Sequence, residues 1–244
     1  PAKENKHPIK RILLKLSGEL LLGGQPHGIN SAACLALAKN IQRLRQTGFE
    51  IGIVIGGGNI FRGINLASMN IPRSPANQIG MLATLMNGIA LQETLLSIDC
   101  PAIVFTALDC PKVAESYTWH AAIEALKAHK VVIFTGGTGN PFFTTDTAAA
   151  MRASEIQADV LLKATKVDGI YSKDPLKFKD AKKFHKITYS EVLAENLGIM
   201  DATSIALCRN SGIPILVFNM DQLKTPIDAD LTSLKTAGTL VCGE

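Results

Sequence analysis

Lys15 stands inside an apolar run, Ile12-Leu13-Leu14-Lys15-Leu16, and Ser17-Gly18 follow at once. A buried ammonium group is expensive unless it reaches water along its stem or meets an anion. Either Lys15 snorkels, or it is a phosphate ligand at a strand tip, with Ser17 and Gly18 offering N–H groups to the same anion. A second apolar run, Ile51 to Ile55, opens into Gly56-Gly57-Gly58-Asn59. Three residues without Cβ let a phosphate approach the backbone, and Arg62, one helical turn after Gly58, could grip its oxygens in a fork. A third loop, Thr135-Gly136-Gly137-Thr138-Gly139-Asn140-Pro141-Phe142-Phe143-Thr144-Thr145-Asp146, is dense in glycine and hydroxyl groups. Thr144 or Thr145 would cap the next helix. Asp146 would then either complement the helix dipole or position Lys15 or a metal-bound phosphate. A fourth loop, Ala164 to Pro175, carries Asp168-Gly169, which signals a tight hairpin turn. In that loop Tyr171 could stack on a flat base or simply pack, and Asp174-Pro175 would open a turn.

These loops need rigid carriers. Strands are predicted at Arg11 to Ser17, Ile51 to Ile55, Ala102 to Thr106, Val131 to Thr135, Val160 to Lys163 and Ile215 to Phe218. Helices are predicted from a Ser31 cap to Gly48, then at Gln78 to Ser97, Trp119 to His129, Thr145 to Ala158 and Ala202 to Asn210. In the first of them Cys34, Leu37, Ala38, Ile41 and Leu44 share one face. Alternation of this kind means βαβ units and a mainly parallel sheet covered on both sides, with ligands outside the carboxyl ends of the strands. Residues 11–244 are expected to form one domain and residues 1–10 a flexible tail. The known nucleotide fingerprints fail: no G-x-x-x-x-G-K-[ST] exists, and neither glycine loop completes G-x-G-x-x-G. What remains is a set of phosphate-type loops on several strands, suited to two phosphate-bearing substrates face to face.

Composition narrows the class. The 244 residues are 47% hydrophobic and 19% charged, which excludes a disordered chain, and a net charge of +4 is too small for a dedicated nucleic-acid binder. Lys173, Lys177, Lys179, Lys182, Lys183 and Lys186 crowd one stretch in which only Phe178, Phe184 and His185 interleave and no base-stacking motif appears, so a solvated loop is expected. No run of about 18 apolar residues suggests a membrane span, and no signal peptide is visible in Pro1 to Lys10. Cys34, Cys100, Cys110, Cys208 and Cys242 are odd in number and widely spaced, which implies reduced thiols, a cytoplasmic location and no structural zinc.

Taken together, K-L-S-G at Lys15 to Gly18, V-I-G-G-G-N-I-F-R-G at Val54 to Gly63 and A-T-K-V-D-G-I-Y-S-K-D-P at Ala164 to Pro175 resemble the amino acid kinase family. Within it, G-M-L-A-T-L-M-N-G at Gly80 to Gly88, G-T-G-N-P-F-F-T-T-D at Gly137 to Asp146 and F-N-M at Phe218 to Met220 resemble the bacterial uridylate (UMP) kinases. Lys166 agrees, since many carboxylate-phosphorylating relatives carry aspartate there. The resemblance implies a three-layer αβα fold and γ-phosphoryl transfer from MgATP to UMP, giving ADP and UDP, a step of pyrimidine nucleotide (CTP/UTP) biosynthesis. Carried over by position, ATP would meet Lys15, Leu16, Ser17, Gly18, Gly58, Arg62, Thr165, Lys166, Tyr171 and Asp174. UMP would meet Gly57, Asn77, Thr138, Gly139, Asn140, Pro141, Phe142, Phe143, Thr144 and Thr145. Lys15, Arg62 and Asp146 would be the catalytic set, with no protein metal ligand assigned. A homohexamer inhibited by UTP is also implied. Two departures stand out. Relatives commonly have aspartate where this chain has Asn77. GTP-activated relatives place basic residues where it has Gln92, Leu96 and Ile103, which argues against GTP activation. The remaining alternatives are a nucleotide-binding module without turnover and a kinase for carbamate or an amino-acid carboxylate.

Overall fold

The computed structural model describes residues 8–61, 70–225 and 227–243. The expected flexible tail falls mostly outside these residues, and Arg62 lies outside them altogether. Nine strands make one sheet. The first three in the chain are β1 (Arg11–Leu16), β2 (Glu50–Ile55) and β3 (Ala102–Thr106), followed by the short β4 (Glu115–Ser116). Then come β5 (Val131–Thr135), β6 (Val160–Thr165), β9 (Lys186–Thr188), β10 (Ile215–Asn219) and β11 (Thr239–Cys242). Their spatial order is β4-β3-β5-β2-β1-β6-β10-β11-β9, and every pairing is parallel except β10 with β11. A separate antiparallel pair joins β7 (Ile170–Tyr171) to β8 (Lys183–Phe184).

Both faces of the sheet are covered. One carries α1 (Ser31–Gln46), α2 (Arg73–Leu96) and the short α7 (Thr232–Ala237). The other carries α3 (Trp119–Lys127), α4 (Thr145–Glu155), α5 (Tyr189–Ala194) and α6 (Ala202–Ser211). This is the three-layer αβα arrangement with a mainly parallel centre. Strand alternation decides which side chain faces which layer. In β1, Ile12, Leu14 and Leu16 enter the core under α1 and α2, while Leu13 enters the core under α4. Lys15 therefore shares the α4 face with Leu13. In β6 the same parity puts Leu162 on the α1 side and Leu161, with Lys163, on the α4 side. Lys15 and Lys163 are also direct partners in the β1–β6 register.

Three sequence expectations need correction. The cap of α1 is Asn30, whose side chain accepts from Ala33 N–H at 3.0 Å, with Ser31 already helical. Asp168-Gly169 forms no tight hairpin, because β6 is hydrogen-bonded on both edges, to β1 and to β10, and has none left; β7 pairs with β8 instead. The lysine-rich stretch is not uniformly solvated: Lys183 is largely buried and donates to Asp168 Oδ2 (2.7 Å) and to the Ala237 carbonyl (2.5 Å). Although no continuous apolar run of that length occurs, α2 is long and apolar enough by length and mean composition to cross a membrane. Its inner side carries Met81, Thr84, Asn87 and Leu91 into the core under the sheet, so it is a core helix. All five cysteines are free, and Cys34, Cys100 and Cys208 are buried.

Candidate active site

The register that aligns Lys15 with Lys163 brings two ammonium groups under the N-terminus of α4. That end of a helix is already electropositive. Asp146, in the first turn of α4, lies between them: Lys15 Nζ is 2.8 Å from Oδ1 and Lys163 Nζ is 2.7 Å from Oδ2. The side chains are only 13%, 10% and 16% exposed for Lys15, Lys163 and Asp146. Burial alone would raise the Asp146 pKa, but the two ammonium groups outweigh it and hold the carboxyl below its ordinary value. Burial lowers the Lys163 pKa, and the Lys15 charge adds to that, against the opposing pull of Asp146. Two cations pair with one carboxylate at the sheet's carboxyl edge, and Asp201 adds a second negative charge that acts on Lys163 through space. Sequence reasoning found Lys15 and Asp146 and missed Lys163. Its signal was there: a lysine two residues after Leu161, on the same face of a buried parallel strand.

The loops around this cluster present backbone donors. The N–H groups of Gly57 and Gly58 have no protein acceptor among the described residues. A Cβ on Gly57 would sit 2.8 Å from Ala83 Cβ and 2.9 Å from the Gly80 carbonyl, whereas Gly58 faces open space. The former is glycine because α2 packs against it; the latter leaves its backbone open to approach. After β1, Ser17 caps a 3-10 turn by accepting from Glu19 N–H, and Leu16, fully buried, offers only backbone, its carbonyl accepting from Gly56 N–H at 3.0 Å.

The loop after β5 winds through left-handed Gly136 (φ 75°), Gly137 (φ 58°) and Gly139 (φ 81°), and Phe142 adopts φ 74° without being glycine. Asn77 Oδ1 accepts the Phe142 N–H at 2.6 Å, and Arg73 lies over the Phe142 ring at 5.1 Å. Phe142 and Phe143 remain 58% and 52% exposed, which is a large apolar surface for a loop rim. Thr138 Oγ1 accepts from Asn140 N–H at 3.2 Å, and Pro141 follows. Thr144, not Thr145, caps α4, accepting from Asp146 and Thr147 N–H at 3.1 Å each. Its hydroxyl donates to Asp201, which also accepts from Thr147 Oγ1 at 3.0 Å and caps α6 through Ser204 N–H. Asp201, unremarked in the sequence, thus ties the two helix starts together.

On the far side of the cluster, the loop after β6 forms a separate cleft of about 450 Å³, lined by Val167, Gly169, Tyr171, Asp174, Pro175 and Leu197 among others. Tyr171 does not pack: its hydroxyl donates to Asp168 Oδ1 at 2.6 Å and its ring faces the cleft. Thr165 closes a local turn with Val167, and Asp174 accepts from Leu176 N–H at 3.0 Å, opening the expected turn. Lys166 reaches back to Glu19 at 2.6 Å, bridging the loops after β1 and β6. The charged cluster therefore sits at the carboxyl ends of β1 and β6, and the loop after β6 carries a cleft of its own.

The sequence profile of the amino acid kinase family matches residues 10–219. The chain belongs to the amino acid kinase family. Within that family it is 63% identical over 233 residues to a uridylate kinase of Protochlamydia amoebophila, covering 95% of this chain and 92% of that protein. It is 53% identical over 211 residues to a uridylate kinase of Magnetococcus marinus, covering 86% and 88%. Its fold matches the crystal structure of a UMP kinase from Bacillus anthracis with a TM-score of 0.89 at 35% identity, over 98% of both chains. A UMP kinase from Ureaplasma parvum gives 0.87 at 34% identity, over 97% of this chain and 100% of the other.

Proposed function

We propose that this chain is a UMP kinase, transferring the γ-phosphoryl group of MgATP to UMP to give ADP and UDP, and that it serves pyrimidine nucleotide biosynthesis in the cytoplasm. The observation that supports this reading is the largely buried Lys15–Asp146–Lys163 cluster at the carboxyl ends of β1 and β6, where the glycine loop after β2 also begins. In phosphoryl transfer the protein mainly positions two anions and neutralises spreading charge. A phosphate oxygen of UMP attacks the γ-phosphorus in line; the new O–P bond forms as the bond to the β,γ-bridging oxygen breaks and ADP leaves. The attacking oxygen is already ionised at neutral pH, so no general base is needed. Lys15 and Lys163 meet the charge on the moving group, Gly57 and Gly58 N–H groups hold its oxygens, and Asp146 keeps both ammonium groups aimed. Arg62 is assigned a third cationic contact by position. The donor base would occupy the cleft beside Tyr171 and Asp174, with Ser17, Gly18, Thr165 and Lys166 along the triphosphate. Gly57, Asn77 and the 138–145 segment would take UMP.

Magnesium fits this donor set in one way only. Asp146 Oδ2 accepts from Lys163, Oδ1 lies 2.8 Å from the Lys15 ammonium without a hydrogen bond, and no group of three His, Cys, Asp or Glu side chains able to hold a metal occurs among the described residues. The ion would arrive on ATP, ligated by phosphate and water, and would supply charge neutralisation between the β- and γ-phosphates.

We further infer a homo-oligomer, a hexamer by family resemblance, with UTP as feedback inhibitor. Leu82, Met86 and Leu96 are exposed on one side of α2, an apolar strip suited to a second copy of the chain. Gln92, whose side-chain carbonyl accepts the Val104 N–H at 2.6 Å, stands with Leu96 and Ile103 where GTP-activated relatives carry basic residues, so GTP activation is not expected. The deciding assay measures ADP release from MgATP with UMP, CMP, glutamate and carbamate offered separately. Fast turnover with UMP alone is the expected result. Preference for another acceptor, or binding without ADP release, overturns the reading.

A further inference from the structure

The inner face of α2 carries a polar stripe where a core helix would ordinarily be apolar. Asn87 is completely buried, and Asn59, one residue past the glycines, is 2% exposed. The two amides form a reciprocal pair: Asn59 Nδ2 donates to Asn87 Oδ1 at 2.9 Å and Asn87 Nδ2 donates to Asn59 Oδ1 at 2.7 Å. Their second hydrogens are also used, Asn87 donating to the Gly56 carbonyl at 2.7 Å and Asn59 to the Gly28 carbonyl at 3.0 Å. A fully satisfied buried polar network of this kind specifies one arrangement of the backbone around it. One turn earlier on α2, Thr84 Oγ1 accepts the Gly136 N–H at 2.9 Å, at the start of the other glycine loop. On the remaining side, any side chain at Gly18 would run into Asn59 Oδ1 and the Gly56 carbonyl. Loops after β1, β2 and β5 are therefore all referenced to one helix face.

We propose that Asn87 and Asn59 are positioning residues that fix the glycine loop after β2 against the loop after β1, and so set the distance between donor and acceptor phosphates. They touch neither nucleotide. Each nucleotide's own contacts would survive their loss, but the in-line alignment of the two would not. A misplacement of about 1 Å costs on the order of 10² in rate. This rests on the kinase reading above.

The test compares Asn59→Ala, Asn87→Ala and the double variant with the wild-type protein, using MgATP and whichever acceptor that protein turns over. Two readouts are taken: steady-state kinetics, and amide hydrogen exchange of a peptide covering Gly56 to Phe61. The expected result is a kcat lower by roughly 10² with KM for both substrates near wild-type values. The double variant should be no worse than either single one, because the pair acts as a unit. Exchange at Gly56 to Phe61 should rise in all three. Should Asn87→Ala fail to fold, Asn87→Ser, which keeps one donor, should fold and show an intermediate loss of kcat. A kcat close to wild type in a folded variant, a loss confined to melting temperature, or unchanged exchange overturns the proposal. A wild-type protein inactive with UMP but active with another acceptor would sink the UMP reading alone, because both readouts can still be taken.

Discussion

The two ends of β1 carry charge clusters of similar size and opposite purpose. At the amino end, Arg11 donates to Glu50 through Nε (2.7 Å) and pairs with it through Nη2 (2.6 Å); Lys10 adds a third contact at 2.9 Å, and Asp159 accepts the N–H groups of residues 10 and 11 at 2.8 Å each. Two cations meet two anions there, and every donor described has its acceptor. At the carboxyl end, Lys15 and Lys163 pair with the carboxylate of Asp146, Asp201 acts on Lys163 only through space, and the neighbouring Gly57 and Gly58 N–H groups are unengaged among the described residues. Closure of the first cluster makes it a staple for β1, β2 and the segment before β6. The spare donors in the second leave it free to take an anion, the role proposed above. Ion pairing by itself does not mark a site; a buried pair with spare donors beside it does.

Breaking each end should therefore produce different damage. The largest effect is expected from Lys15→Ala, which removes charge where the phosphoryl group passes: kcat should fall by about 10²–10³ while the melting temperature holds. Equal damage from Arg11→Ala at a temperature where both variants are folded would erase the distinction. Asp146→Asn should be nearly as harmful to kcat, since the two ammonium groups then repel. Its stability effect has a defined direction. Because the folded carboxyl titrates below its ordinary value, its contribution is present above the usual aspartate range and is lost as pH falls through the folded value. The gap in melting temperature between wild type and Asp146→Asn should thus close on acidification, and a gap independent of pH would contradict the pairing.

Glu50→Gln sharpens the other half of the contrast. It strips a nearly inaccessible anion from Arg11 and should lower stability by about 2 kcal/mol, several degrees in melting temperature, with kcat unchanged where the protein is folded. The smallest effect belongs to Lys166→Ala. Its link to Glu19 is exposed on the lysine side, so stability should move by no more than about 0.5 kcal/mol. KM for ATP should rise a few-fold with kcat retained, and a large loss of kcat would place Lys166 among the charge-stabilising groups instead.

The central strands were legible because buried parallel strands are short β-branched runs ending in glycine or polar residues: β3 and β5 have the predicted bounds, and β2 and β6 differ by one or two residues. The face of α1 was legible for the same reason, its five predicted apolar residues all being buried. The edge elements were not. β4, β7, β8 and β9 have two or three residues each, too few for any period to show, and their pairing is imposed by tertiary contact. Lys15, Asp146 and the glycine loops stood out as residues that need a reason. Lys163 did not, because its strand was taken to end there, and its meaning depends on a register with β1 that no local pattern encodes. The same holds for the Asn59–Asn87 pair: 28 residues separate them, and two asparagines in a sequence give no hint that they meet.

One strand holds both ends of one helix. Lys15 reaches the first turn of α4 through Asp146, and Arg11, four residues earlier on the same side of β1, donates to the Ile156 carbonyl just past the last turn at 2.5 Å. Moored fore and aft, α4 cannot travel along the sheet without breaking two ion-linked anchors. Whatever motion admits and encloses two nucleotides must then be carried by the connecting segments, leaving Asp146 as a stationary reference against which those movements are made.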